Sequence, residues 1–164
     1  TFIVPDAFIN NTPAARIMSL ADPTKKMSKS DENENATVRI LDDRDTIIRK
    51  FKRAVTDSES EVCAREGKAG IINLMSIYGA FTGKTFEEIE KEFSGKGYGE
   101  FKLAVGEACA DGLAPVQAEF KRLSADKAYL EELMARGAAE AHHDTLRTLS
   151  KVRRKIGFTE RPRY

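Results

Sequence analysis

The chain has 164 residues, enough for one ordinary hydrophobic core or one core and part of another. Its 27 basic and 26 acidic residues nearly cancel, so net charge gives no ground for a nucleic-acid partner. No apolar run approaches the roughly 18 residues of a membrane span, and no charged-then-apolar leader opens the chain. These features point to a reducing cytosol with no membrane contact.

In chain order, Thr1-Phe2-Ile3-Val4-Pro5 has no initiator Met and enters directly into an apolar stretch, as though continuing from something longer. Arg16 to Leu20 reads as a short buried strand stopped by Asp22-Pro23. From Thr24 to Asn35 only Met27 is apolar, so little offsets the entropy of ordering and a mobile loop is expected. Asp45 is placed as the cap of a helix with Ile47, Ile48, Phe51, Ala54 and Val55 inward. Arg49, Lys50, Lys52 and Arg53 are assigned to its other face.

A loop with Gly67 and Gly70 leads to a helix through Ile71 to Tyr78, apolar around most of its circumference and so central in the packing. Thr85-Phe86-Glu87-Glu88 is a capping box, followed by the stripe Phe86, Ile89, Phe93 and the stop Gly95. A long helix follows, with Phe101, Val105, Ala108, Cys109, Gly112, Val116, Phe120 and Leu123 on one side and a kink expected at Pro115. Two more helices are expected. The first starts at Ser124 or Asp126 and carries Leu130, Leu133 and Met134. The second runs from about Ala138 to Ile156 with Ala138, Ala141, Leu149, Val152 and Ile156 inward, and Gly157-Phe158 caps it. The picture is one strand, one loop and about six helices.

Charge is uneven toward the end: Arg147 to Tyr164 holds seven basic residues and one acidic. Such a face is compatible with RNA, though solvation alone can account for it. Cys63 and Cys109 are far apart, and the adjacent pair His142-His143 points in different directions on a helix, so no metal site is expected. Gly79 to Thr85 imitates a phosphate-binding loop, but its first glycine is one residue too close and the preceding segment is helical in pattern.

Lys26-Met27-Ser28-Lys29-Ser30 is different. Two lysines flank a hydroxyl-rich segment suited to the pyrophosphate that leaves ATP when a carboxylate attacks the α-phosphorus. Cations placed where that charge develops help the transition state more than the ground state.

This run resembles the second signature of class I aminoacyl-tRNA synthetases, and Ala15 to Asp31 is similar, nearly residue for residue, to bacterial tryptophanyl-tRNA synthetases. The resemblance continues through Leu41-Asp42-Asp43, Arg53 to Ser58, Asn73 to Tyr78, Gly95 to Lys102 and Ala114-Pro115-Val116-Gln117. It implies activation of tryptophan with Mg-ATP to the adenylate, then esterification of a tryptophan-specific tRNA. On matching positions, Lys26 and Lys29 would be the catalytic cations on the β- and γ-phosphates. Ser28 and Ser30 would supply donors, Met27 would lie near the nucleoside, and Ile17 on the strand whose backbone meets adenine. Helices after Asp45 would receive the anticodon end of tRNA, with Arg49, Lys50, Arg53, Arg147, Lys151 and Arg154 as candidates by charge.

The fold class so implied is mainly α. Residues 1–44 would be the C-terminal edge of a class I α/β nucleotide-binding domain, with one short strand and the signature loop. Residues 45–164 would form an all-helical domain whose last helix returns toward the catalytic part. No protein-bound metal is expected, and the parent would be a homodimer, with a monomeric piece compatible. The other class I signature, most of the parallel sheet and the amino-acid pocket are missing, so the chain resembles a C-terminal half that is not competent alone. A self-standing helical tRNA-binding module and a piece of a tyrosyl-specific relative stay open.

Overall fold

The computed structural model describes residues 2–10 and 12–159; Thr1 of the opening apolar run and the last five residues of the basic stretch lie outside them. The described residues form five α-helices: α1 (Arg44–Lys52), α2 (Ala69–Thr82), α3 (Phe86–Glu92), α4 (Tyr98–Ser124) and α5 (Lys127–Lys155). Short 3-10 turns cover Pro13–Ala15 and Glu34–Ala36. The chain divides into two compact units, one of residues 10–119 and one of the described parts of 1–9 and 120–164. Both sides of the division expected after residue 44 therefore share one unit, in which Leu20 and Met27 pack with Ile47 and Phe51.

The core of the first unit is built around α2. Ile71, Leu74, Met75, Ile77 and Tyr78 are buried, as are Asn73 and Ser76, so the helix is enclosed nearly all round as its sequence predicts. It packs against α3 and the turn Pro13–Ala15. Tyr78, Phe93 and Phe101 meet edge to face with ring centroids 4.9–6.0 Å apart, a favourable aromatic geometry. At Gly70 an added Cβ would stand 2.3 Å from the Val55 carbonyl oxygen, so only glycine admits this approach of α2 to the preceding loop.

Four expectations change. The strand at Arg16 to Leu20 reduces to a single antiparallel bridge, Met18 with Lys26. A ladder needs one continuous neighbour, whereas here successive groups bond to different partners: Ser19 N–H to Lys25, Leu20 N–H to Ala36, and Val55 N–H to the Leu20 carbonyl. The α1 cap is Asp43, whose carboxylate accepts from Thr46 N–H at 2.8 Å; Asp45 lies in the first turn. That start brings Ile47 and Phe51 into the core, and the helix ends at Lys52, leaving Val55 49% exposed.

The inward stripe of α4 stops early. Phe101, Val105 and Cys109 are buried, but Gly112, Val116 and Phe120 are exposed. A helix of 27 residues is roughly 40 Å long and outruns the core it lines. It continues across Pro115 as one helix. Lastly, the two expected terminal helices are one, α5, continuous through Gly137. One glycine costs a helix only about 1 kcal/mol relative to alanine, and alanine-rich neighbours absorb that. None of the residues expected inward on α5 is buried.

The local signals hold. Thr85 and Glu88 form the reciprocal capping box, and Gly83, at φ +74°, closes α2 just before it. Asp126 caps α5. At its other end Gly157 N–H bonds to the Arg154 carbonyl and Phe158 N–H to that of Arg153, the paired bonds of a Schellman motif.

Candidate functional site

The lysine-rich loop is hung from the core by its own backbone. Asp22 Oδ1 accepts from the Thr24 hydroxyl at 2.6 Å and from Thr24 N–H at 3.1 Å, turning the chain. Those bonds, the hydroxyl's first, hold the Asp22 carboxyl below its ordinary value. Returning, Lys25 accepts from Ser19 N–H and Met27 N–H donates to the Ile17 carbonyl at 3.0 Å. Met27 is half-buried against the core. Together with Ile17, Val38, Ile77 and Phe81 it lines an apolar cavity of about 280 Å³.

Lys26, Ser28, Lys29 and Ser30 are exposed around that anchor. Asp31 N–H bonds back to the Ser28 carbonyl at 3.2 Å, and the Ser28 and Ser30 hydroxyls are 3.0 Å apart. Among the described residues neither Lys26 nor Lys29 makes an ion pair, while neighbouring Lys25 is held by Asp22 at 3.2 Å. So the segment expected to be a mobile loop carries two turns and a half-buried anchor. The loop residues and Ile17 are brought together.

Asn73 was missed by sequence reasoning. Its side-chain amide accepts from Met18 N–H and donates to the Met18 carbonyl, both at 2.8 Å, fixing the backbone beside Ile17. A lone amide in an otherwise apolar helix was the available signal.

Lys50 requires a correction. It is 4% exposed, bonded to Asp42 at 2.6 Å and to the Thr37 carbonyl at 2.8 Å, and so is not on the exposed basic face to which its charge assigns it. Burial of a charge demands such pairing. Arg49 and Arg53 are exposed and line, with Lys52, a groove of about 430 Å³. In the other unit Arg147, Lys151 and Arg154 are exposed on α5 at spacings that share one helical face.

A second cleft, near Ser76, Gly79 and Glu87, has its polar groups already engaged: Lys84 pairs with Glu92 at 2.8 Å and Thr85 caps α3. Among the described residues no group of three or more His, Cys, Asp or Glu converges as metal ligands would.

The family model of tRNA synthetases class I (W and Y) matches residues 1–114. The chain belongs to that family. Among curated relatives of this synthetase family, the tryptophan–tRNA ligase of Wolinella succinogenes is 46% identical over 158 residues, covering 96% of this chain and 48% of the relative. That of Clostridium tetani is 48% identical over 158 residues, covering 96% and 46%. The chain thus spans about half the length of the curated relatives it matches.

Among solved synthetase structures, tryptophanyl-tRNA synthetase from Mycoplasma pneumoniae superposes with a TM-score of 0.77 at 28% identity, covering 91% of this chain and 45% of that one. The Campylobacter jejuni enzyme, complexed with ADP and tryptophan, gives 0.65 at 23% identity over 87% of this chain and 44% of that one, a likeness of fold. The mainly helical class I architecture expected from the sequence is the one found.

Proposed function

We propose that this chain is the C-terminal part of a bacterial tryptophan–tRNA ligase, carrying the loop that handles the leaving pyrophosphate and the helices that face tRNA. One observation carries the reading: Lys26 and Lys29 stand exposed, without ion pairs among the described residues, on turns anchored by Met27. Matched tryptophan–tRNA ligases support tryptophan over tyrosine.

In the parent enzyme the tryptophan carboxylate attacks the α-phosphorus of ATP, the bond from that phosphorus to the α,β-bridging oxygen breaks, and pyrophosphate departs with the developing charge. Lys26 and Lys29 meet that charge, Lys29 chiefly. Ser28 and Ser30 supply donors from the same turn, and Ile17 and Met27 form the nucleoside side. Magnesium arrives on the phosphates as part of the substrate complex. Residues 1–44 then complete the nucleotide domain, and 45–164 face the anticodon end of tRNA, with Arg49, Arg53, Arg147, Lys151 and Arg154 on phosphates. The parent works as a homodimer in the cytoplasm.

The test is single-turnover adenylation by the full-length parent. Lys29→Ala should slow it by orders of magnitude with tryptophan affinity little changed; an unchanged rate would remove the loop from its role. The chain alone should show no tryptophan-dependent pyrophosphate exchange.

A second reading, a stand-alone tRNA-binding module, is favoured by the basic face of α5 on a helix that buries none of its own residues. Titration with tRNA at two salt concentrations decides, since phosphate contacts weaken steeply with salt. Absence of binding at low salt ends that reading.

A further inference from the structure

Between the lysine-rich loop and α1 runs a strap, residues 37–42, held at both ends. At its far end the Gln117 side-chain amide, from α4, donates to the Ile40 carbonyl at 2.7 Å and the Asp42 carbonyl at 2.9 Å. Asp42 Oδ2 accepts from Arg39 N–H at 2.9 Å and from the buried Lys50 ammonium at 2.6 Å. At its near end the same ammonium donates to the Thr37 carbonyl at 2.8 Å. Thr37 then turns its hydroxyl outward and donates to the Ser28 carbonyl at 2.7 Å.

Ser28 lies between the two lysines, and its carbonyl also closes the turn to Asp31 that presents Lys29 and Ser30. One buried cation thus fixes the residue whose hydroxyl fixes the turn. The side chains that make the connection are polar and placed at the points where the strap could otherwise swing. Packing alone would ask for none of them.

We infer that Thr37 is a positioning residue for the phosphate-gripping loop, held in place by Lys50 and Asp42, and that the strap makes the orientation of Lys29 depend on α1 and α4. Thr37 touches no reacting atom; it acts through Ser28. Its effect on the reaction rests on the reading proposed above, whereas its effect on the loop does not.

The first experiment uses the chain as it stands. Thr37→Val keeps the shape and removes the donor; Thr37→Ser keeps the donor. Trypsin cleavage after Lys26 and Lys29, followed by mass spectrometry, should be about fivefold faster in Thr37→Val, the opening expected when one hydrogen bond of this kind is lost. Cleavage after Lys121 should not move, and Thr37→Ser should cleave at the parent rate. Equal loop cleavage in the valine variant and the parent, or equal cleavage in the serine and valine variants, overturns the inference.

The second uses the full-length enzyme. Thr37→Val should lower the adenylation rate constant about fivefold or more with KM for tryptophan unchanged, and Thr37→Ser should restore it. Lys29→Ala, run alongside, separates the two ideas. If Lys29→Ala is slow and Thr37→Val is not, the positioning role fails while the functional reading stands. If Lys29→Ala is as fast as the parent, the functional reading fails, and the role of Thr37 in the reaction falls with it.

Discussion

Asn73 serves Met18 as a strand would. Its amide oxygen accepts the Met18 N–H and its amide nitrogen donates to the Met18 carbonyl, each at 2.8 Å, from 55 positions along the chain. Asn73 is 5% exposed, so these bonds face little competition from water. Asn73→Leu keeps the branched outline of the side chain and leaves both backbone groups of Met18 without the partners Asn73 supplies. It should cost about 2 kcal/mol in urea unfolding. Cleavage after Lys26, the bridge partner of Met18, should quicken as well.

The Asp42–Lys50 pair makes a separate prediction. Both side chains are largely buried, and removing one strands the other. Lys50→Met should destabilise by about 3 kcal/mol, and the double variant with Asp42→Leu by clearly less than the sum of the singles. Additive losses would mean the two do not act as a pair.

Around Lys68 a network sets the pH behaviour. Its ammonium lies 2.6 Å from the Tyr98 hydroxyl and 2.8 Å from Glu59, and the Tyr98 hydroxyl donates to Asp57 at 2.7 Å. Burial pushes Lys68 down, but its bonds to Glu59 and Tyr98 outweigh this and raise it above the usual lysine value. Burial pushes Asp57 up, but the Tyr98 hydroxyl, the Glu59 N–H and Lys68 leave it lowered. The Lys68 bond lowers Glu59 against a smaller opposing effect of burial.

For lowered carboxylates the stabilisation is present above the ordinary values, 3.8 for Asp57 and 4.5 for Glu59, and is lost as pH falls through the folded values. For the raised Lys68 it is present below 10.5 and is lost only as pH rises through the folded value. Thermal stability should therefore be level through neutrality and fall once pH drops below 4. Tyr98→Phe should narrow the difference in Tm between pH 6 and pH 3; an unchanged difference would remove Asp57 from the acid limb.

Cys109 should be chemically silent in the folded chain. It is 4% exposed, and burial raises its thiol to about 11. At pH 8 the reactive thiolate is then roughly one part in a thousand. Iodoacetamide should modify the half-buried Cys63 first and reach Cys109 only on unfolding, as peptide mapping would show. Equal rates for both would contradict the packing.

What could be read in advance was whatever is decided within a few residues. The capping box at Thr85, the glycine stops and the apolar girth of α2 are local agreements between neighbours, and so is the crowding of cations and hydroxyls at Lys26 to Ser30. Choices made by distant partners were hidden. Asp42-Asp43-Arg44-Asp45 offers three carboxylates as caps, and the one used is that which lets Ile47 and Phe51 face the core. Lys50 was read by charge as one of a basic set, although 47, 50, 51 and 54 fall on a single helical periodicity and all four are buried. Its spacing placed it inside; its charge was mistaken for exposure. On α5 the pattern named an inward face, but a pattern does not say what stands opposite it.

The contact at Gly70 separates two kinds of intolerance. Position 70 admits one amino acid because a carbonyl oxygen occupies the space of any side chain, while position 29 has ample room around it and, on the function proposed above, needs an ammonium group. A saturation library scored by protein abundance would erase every variant at the first site and keep nearly all at the second. Scored by charging of tRNA in the full-length enzyme, the same library would lose both. The gap between the two scores, taken residue by residue, sorts architecture from chemistry without any prior list of important positions.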